Sequence, residues 1–105
     1  MLEINSENIS NEVFIGAIPV VVDAYATWCA PCRAMAPIFE SLAQEFDGKM
    51  KFVKMNIEDN QEFASEYKIM SIPTFLIFKG GQVVEQFSGS MTVEALKEKV
   101  EKHLS

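Results

Sequence analysis

The sequence is poor in the residues that build cross-links and metal sites. It has two cysteines and one histidine among 105 residues. Two cysteines are too few for the disulfide framework of a small secreted domain, and structural zinc requires four ligands. These shortages favour a cytoplasmic protein, in which a close cysteine pair is more often reactive than structural.

Long apolar runs and basic segments are also missing. No stretch approaches the roughly 18 apolar residues of a membrane span, and the first residues lack the basic and apolar regions of a secretory signal. Acidic residues outnumber basic ones by 15 to 9, which gives a formal net charge of -6. An acidic surface repels nucleic acids and anionic membranes, so we expect neither as a partner.

The chain does have enough apolar residues for a core, since hydrophobic residues make up 49% of it. No linker or repeat divides the sequence, so residues 1–105 are expected to form one domain. Periodicity predicts helices over 5–14, from 31 to a stop at Gly48, over 60–67 and after a Thr92 cap, with strands over 20–25, 51–57, 74–78 and 82–87.

The order of these elements predicts an α/β fold. Strands that alternate with helices imply parallel crossovers. Gly80-Gly81 between the last two strands is typical of a two-residue hairpin turn, which adds an antiparallel edge. We therefore expect a central mixed β-sheet flanked by helices on both faces.

Both cysteines lie in the segment Trp28-Cys29-Ala30-Pro31-Cys32, where the first strand gives way to a helix. Pro31 suits a first helical turn, whose N–H groups have no intrahelical partners. Those N–H groups and the positive helix end favour the thiolate of Cys29, the nucleophilic form in disulfide exchange. Arg33 adds positive charge nearby. Cys32, closer to the helix body, is expected to be less exposed and to resolve the mixed disulfide.

Two other interpretations of the pair stay open at this point. The cysteines could form half of a zinc site, for which a symmetric dimer would have to supply further ligands because His103 is distant in sequence. They could also be inert, packed residues, although the start of a helix is a typical setting for reactive cysteines.

Asp23 interrupts an otherwise apolar predicted strand shortly before the cysteines. Burial of a carboxylate without a partner costs several kcal/mol and raises its pKa, so that the group exchanges protons near neutral pH. The alternative is an aspartate at the solvated end of a strand.

The Trp-Cys-x-Pro-Cys segment after a Val-Val-Val-Asp strand resembles the thioredoxin family. Ile72-Pro73-Thr74, Lys79-Gly80-Gly81 and Phe87-Ser88-Gly89 follow in the order typical of that family, so the resemblance covers essentially the whole chain. It implies a thioredoxin fold and a monomeric protein-disulfide reductase, an enzyme without bound cofactor or metal. It also implies disulfide-containing client proteins and recycling by a thioredoxin reductase, expected to be an NADPH-linked flavoprotein.

The resemblance implies roles for residues around the cysteines. Asp23 is expected to deprotonate Cys32 during resolution, with Lys54 paired to it from the adjacent strand or else solvated. Pro73 is expected to follow a cis peptide bond and to face the cysteines, so that the backbone of Ile72 binds a substrate strand. An ordinary trans proline is the alternative.

Trp28 is expected to shield the disulfide and to bind substrate, unless it packs in the core. Gly89 is expected to let a substrate backbone approach closely, or else to serve a turn. Three departures from the family pattern bear on reduction potential and partner choice: Ala30 in place of glycine, Tyr25 in place of tryptophan, and Met70-Ser71 before Ile72. A disulfide oxidase or isomerase of the same fold and a non-catalytic partner-binding module therefore stay open as alternatives.

Overall fold

A computed structural model describes residues 1–104 of the chain. Its strands are β1 (Val20–Tyr25), β2 (Lys51–Asn56), β3 (Thr74–Lys79) and β4 (Gln82–Ser88), and they form one sheet in the order β2-β1-β3-β4. Its helices are α1 (Ala30–Glu45), α2 (Gln61–Glu66) and α3 (Val93–Glu101). A π-helical turn at Ser10–Phe14 precedes β1, and a 3-10 turn at Ile57–Asp59 lies between β2 and α2.

Strand β1 lies at the centre of two cores because its apolar side chains alternate between the faces of the sheet. Val21 packs with side chains of α1 and α3 on one face. Val20 and Val22 pack with α2 and the N-terminal segment on the other. The predicted mixed sheet with helices on both faces is confirmed, and β1 is buried on both sides, as its β-branched run indicates.

The orientation of β3 differs from the prediction. β1 and β2 are parallel, as expected for a helical crossover, but β3 is antiparallel to β1. Helix α2 has six residues and covers about 9 Å, which is less than the roughly 20 Å of a six-residue strand. The chain therefore stays at the end of the sheet where β1 and β2 finish, and β3 begins there. This reversal brings residues 72–74 to the end of the sheet that holds the cysteines.

Asparagine side chains cap two short helical turns. The predicted helix over 5–14 is shorter in the structure, a π-helical turn at Ser10–Phe14, and before it Asn5 Oδ1 accepts hydrogen bonds from the N–H groups of Glu7 and Asn8 at 2.8 and 3.1 Å, as a helix N-cap does. Ile57 leaves the predicted second strand, because Asn56 Oδ1 accepts from the Glu58 N–H at 2.9 Å and starts the 3-10 turn.

The ends of the long helices agree more closely with the sequence. Helix α1 ends at Glu45, and Gly48 adopts a positive φ of 82° in the turn that follows. The predicted Thr92 cap of α3 is confirmed, since Thr92 Oγ1 accepts a hydrogen bond from the Ala95 N–H at 3.1 Å. The hairpin turn at Gly80–Gly81 is also confirmed, with both glycines at positive φ.

Candidate active site

The start of α1 holds the cysteine pair. Cys29 is the N-cap residue, with an extended backbone, and its Sγ accepts a hydrogen bond from the Cys32 N–H at 3.2 Å. Pro31 occupies the first turn, as predicted, beside the exposed Ala30. The two sulfurs form a disulfide, with Cα atoms 5.2 Å apart. The same N–H group would donate to the Cys29 thiolate once the disulfide is reduced.

Exposure does not separate the two cysteines in this oxidised state. Cys29 is 4% exposed and Cys32 is 3% exposed, so the expected difference is negligible. Their surroundings do separate them. Cys29 Sγ lies 3.9 Å from the carbonyl oxygen of Ile72, whereas Cys32 lines a groove of about 240 Å³ together with Tyr25, Lys54 and other residues of the same face. Cys29 therefore adjoins the loop before β3, and Cys32 adjoins a groove flanked by charged side chains.

The loop before β3 has the expected conformation at Pro73. The Ile72–Pro73 peptide bond is cis. The Pro73 carbonyl accepts a hydrogen bond from the Gly89 N–H at 2.9 Å, which continues the pairing of β3 with β4. Within residues 1–104 the N–H of Ile72 has no backbone partner. A loop residue with an unpaired backbone N–H thus lies next to Cys29.

Trp28 precedes Cys29 in the chain, and Gly89 is hydrogen-bonded to Pro73. Trp28 is 66% exposed, so the interpretation of Trp28 as a core residue is wrong. Gly89 has a φ of 99°, and a Cβ added to it would meet no atom of the protein within 4 Å. Its positive φ serves the turn after β4, and the same position leaves room for another backbone.

Asp23 is completely buried on β1, at 0% exposure, and neither of its carboxylate oxygens has a hydrogen-bond partner among the described residues. The alternative of a solvated strand end is therefore wrong. Burial raises the pKa of Asp23 from 3.8 to about 7, opposed by the positive charge of Lys54 and assisted by the negative charge of Glu3. The carboxyl can therefore exchange protons near neutral pH.

Lys54 lies opposite Asp23 in the register of β1 and β2 but makes no direct ion pair with it. The Lys54 Nζ instead lies over the ring of Tyr25, 4.4 Å from its centroid. Lys54 acts on Asp23 through space, since its charge lowers the pKa of that carboxyl. The expected direct pairing is corrected to an interaction at longer range.

Sequence reasoning missed Glu3 and the contacts of Tyr25. The Tyr25 hydroxyl donates a hydrogen bond to Glu3 Oε2 at 2.9 Å. Glu3 forms an isolated parallel bridge with Lys54, flanked by hydrogen bonds from the Lys54 N–H to Leu2 O and from the Ile4 N–H to Lys54 O. No local pattern in the sequence signals this pairing, because it joins segments about 50 residues apart.

The described residues form no metal-binding cluster, and His103 lies away from the cysteines. Within residues 1–104, no three His, Cys, Asp or Glu side chains are grouped so that they could hold a metal ion. His103 contacts Glu85 instead, with 2.8 Å between Nε2 and Oε1. Among the described helices, none combines the length and apolar character needed to cross a membrane.

Comparison with known proteins agrees with this geometry. The thioredoxin family model matches residues 1–102. The chain belongs to the thioredoxin family. It is 43% identical over 102 residues to thioredoxin 1 of Nostoc sp., covering 97% of this chain and 95% of that protein. It is 49% identical over 85 residues to Bacillus subtilis thioredoxin, covering 81% and 82%, and 39% identical over 104 residues to Haemophilus influenzae thioredoxin, covering 99% and 97%.

Family membership and the site together establish the chemistry. The mixed four-stranded sheet is a thioredoxin fold. The chain is a thiol-disulfide oxidoreductase that reduces disulfides through Cys29 and Cys32, so the interpretation of these cysteines as inert is wrong. As a family, thioredoxins act on disulfide-containing client proteins and are returned to the dithiol form by a reductase.

Proposed function

We propose that Cys29 is the attacking thiol of this protein-disulfide reductase, that Cys32 is the resolving thiol, and that Asp23 accepts the proton of Cys32. One observation carries the proposal: the buried, unpartnered carboxyl of Asp23 lies on the strand that leads into the cysteine pair. A group that costs stability and makes no hydrogen bond suits a role in proton transfer.

The first step joins the enzyme to its client. The Cys29 thiolate attacks one sulfur of the client disulfide, a new S–S bond forms, and the other client sulfur leaves as a thiolate. The N-cap position of Cys29 supports this assignment, because the Cys32 N–H points at its sulfur.

The second step releases the client. Cys32 transfers its proton to the Asp23 carboxylate, and the resulting thiolate attacks the sulfur of Cys29. The Cys29–Cys32 bond forms as the bond to the client breaks, and the second client sulfur leaves as a thiolate that takes up a proton. Two electrons pass from the enzyme dithiol to the client disulfide, and Asp23 returns its proton to solvent. A pKa of about 7 suits this exchange at neutral pH.

The client is proposed to bind as an extended strand along the loop before β3. The unpaired N–H and the carbonyl of Ile72 would form main-chain hydrogen bonds with the segment that contains the client disulfide. Pro73 holds this loop beside Cys29. Trp28 supplies an exposed aromatic surface, and Gly89 leaves space for the client backbone.

We further propose the setting in which the protein acts. Residues 1–105 form a single domain that acts as a monomer in the cytoplasm, carries electrons to client proteins, and is recycled by an NADPH-linked flavoprotein thioredoxin reductase. The family of the chain supports this proposal, as do its two cysteines, which leave no disulfide framework outside the site.

The pH dependence of client release tests the role of Asp23. We expect the Asp23→Asn variant to attack a client disulfide normally but to release the client slowly and without the wild-type inflection near neutral pH. Asp47→Asn is the matched control, because Asp47 is an exposed aspartate at the far end of α1. An unchanged profile of the release rate in Asp23→Asn would rule out proton transfer through this carboxyl.

A further inference from the structure

We propose that Tyr25 is a positioning residue, which holds Lys54 against its ring and Glu3 on its hydroxyl and so sets the balance of charge that faces the Asp23 carboxyl. The inference rests on the proposed function in one respect only, that Asp23 exchanges protons during client release. It adds two residues, Glu3 and Tyr25, to which that function assigns no role.

The geometry places these groups on one face of the sheet. Asp23 and Tyr25 are two residues apart on β1 and therefore point to the same side. Lys54 is the register partner of Asp23 on β2, and its Nζ lies 4.4 Å from the centroid of the Tyr25 ring. The Tyr25 hydroxyl donates to Glu3 Oε2 at 2.9 Å. One side chain thus contacts both a cation and an anion beside the buried carboxyl.

Tyr25 keeps its hydroxyl proton throughout the working pH range. Burial, the hydrogen bond to Glu3 and neighbouring negative charges raise the pKa of Tyr25 to about 12. Tyr25 therefore remains a hydrogen-bond donor to Glu3 while Asp23 titrates. Its side chain contacts both the Lys54 ammonium and the Glu3 carboxylate without itself ionising near neutral pH.

Other elements near Asp23 contribute less to its charge balance. Strand β3 presents the apolar Phe75 beside Asp23. Helix α1 contributes Arg33, which lines the groove next to Cys32 and donates to the Thr27 carbonyl at 2.9 Å. The 3-10 turn contributes Glu58 and Asp59, and Asp59 acts on Tyr25. Only Lys54 and Glu3 act on Asp23 appreciably from these surroundings.

The two charges act in opposite directions. Lys54 lowers the pKa of Asp23 and Glu3 raises it. Loss of the Tyr25 hydroxyl frees Glu3 to move into solvent but leaves the ring that holds Lys54. The pKa of Asp23 should then fall, as it should when Glu3 loses its charge. Because Glu3 is exposed, solvent screens its effect, and we expect a fall of a few tenths of a pH unit.

Carboxyl carbon NMR titration of Asp23 in the oxidised protein tests this inference. The Glu3→Gln and Tyr25→Phe variants should each lower the Asp23 pKa, the double variant should lower it no further than Glu3→Gln alone, and Lys54→Met should raise it. Glu7→Gln is the control, since it removes an exposed carboxylate from the same N-terminal segment. A purely structural role of Tyr25 would not predict this pattern of shifts.

Two results would overturn the inference: an Asp23 pKa that stays at the wild-type value in both Glu3→Gln and Tyr25→Phe, or effects of the two changes that simply add. The rate of client release, measured against pH in the same variants, separates the inference from the proposed function. If the Asp23 pKa moves while the release profile does not, the placement of charges by Tyr25 stands and proton transfer through Asp23 is wrong.

Discussion

Replacement of Asp23 by asparagine should stabilise the protein, and the gain should depend on pH. The aspartate is buried without a hydrogen-bond partner, so its ionisation in the folded state is unfavourable. Asparagine has nearly the same shape as a protonated aspartate but does not ionise. The variant therefore removes the cost of ionisation and changes little else in the core.

The magnitude follows from the two pKa values of the carboxyl. Asp23 has a pKa of about 7 in the folded protein, against 3.8 for an unperturbed aspartate. Each pH unit between them corresponds to about 1.4 kcal/mol, so full ionisation costs about 4 kcal/mol of stability. Below about pH 4 the Asp23 carboxyl is protonated in both the folded and the unfolded state, so this group costs no stability there. As pH rises from about 4 to about 7 the unfolded state ionises first, and stability falls to a lower plateau.

Urea denaturation of the oxidised protein at a series of pH values measures this effect. We expect Asp23→Asn to match the wild type near pH 4 and to exceed its free energy of unfolding by about 4 kcal/mol near pH 8. Asp47→Asn should show no such divergence, because Asp47 is exposed. A difference between Asp23→Asn and wild type that is constant with pH, or a variant less stable at pH 8, would refute the reasoning.

Three further predictions concern binding, stability and redox poise. Trp28→Ala should lower kcat/KM for a protein disulfide roughly tenfold and for a small-molecule disulfide much less, because Trp28 offers exposed aromatic surface beside Cys29. Steady-state assays of both substrates measure this, and equal losses for the two would contradict the prediction. Thr92→Ala should lower the free energy of unfolding by about 1 kcal/mol in denaturation experiments, since the cap of α3 is lost, and no loss would mean that water replaces the cap. Equilibration of the protein with a glutathione buffer should give a reduction potential for the Cys29–Cys32 pair below that of the glutathione couple. A value near the roughly -180 mV of protein disulfide isomerase would favour the isomerase alternative and make Ala30, which departs from the family pattern, the next residue to test.

The sequence predicts the cysteine site well because its determinants are local. The strand, the two thiols, Pro31 and the helix start lie within a short run of residues, and the Cys29 N-cap follows from that order. The burial of Asp23 was also predictable, since its neighbours on β1 are apolar.

The other features of the fold and of the site depend on contacts between segments that are distant in the sequence. The direction of β3 follows from the path of the chain through the short helix α2, and the alternation of helices and strands pointed to the wrong direction. The bridge of Glu3 with Lys54 joins the N-terminal segment to β2, and the Lys54 head group lies over the Tyr25 ring. A pairwise prediction for Asp23 and Lys54 therefore gave the register but missed where the lysine head group lies.

Trapping of mixed disulfides tests the central claim, the division of roles between the two cysteines, most directly. Cys29→Ser and Cys32→Ser variants would each be incubated with a disulfide-containing protein, and the adducts would be located by mass spectrometry. We predict that Cys32→Ser accumulates a stable adduct at Cys29 and that Cys29→Ser neither forms an adduct at comparable rate nor reduces the client. An adduct that forms preferentially at Cys32, or client reduction by Cys29→Ser at the wild-type rate, would contradict the account.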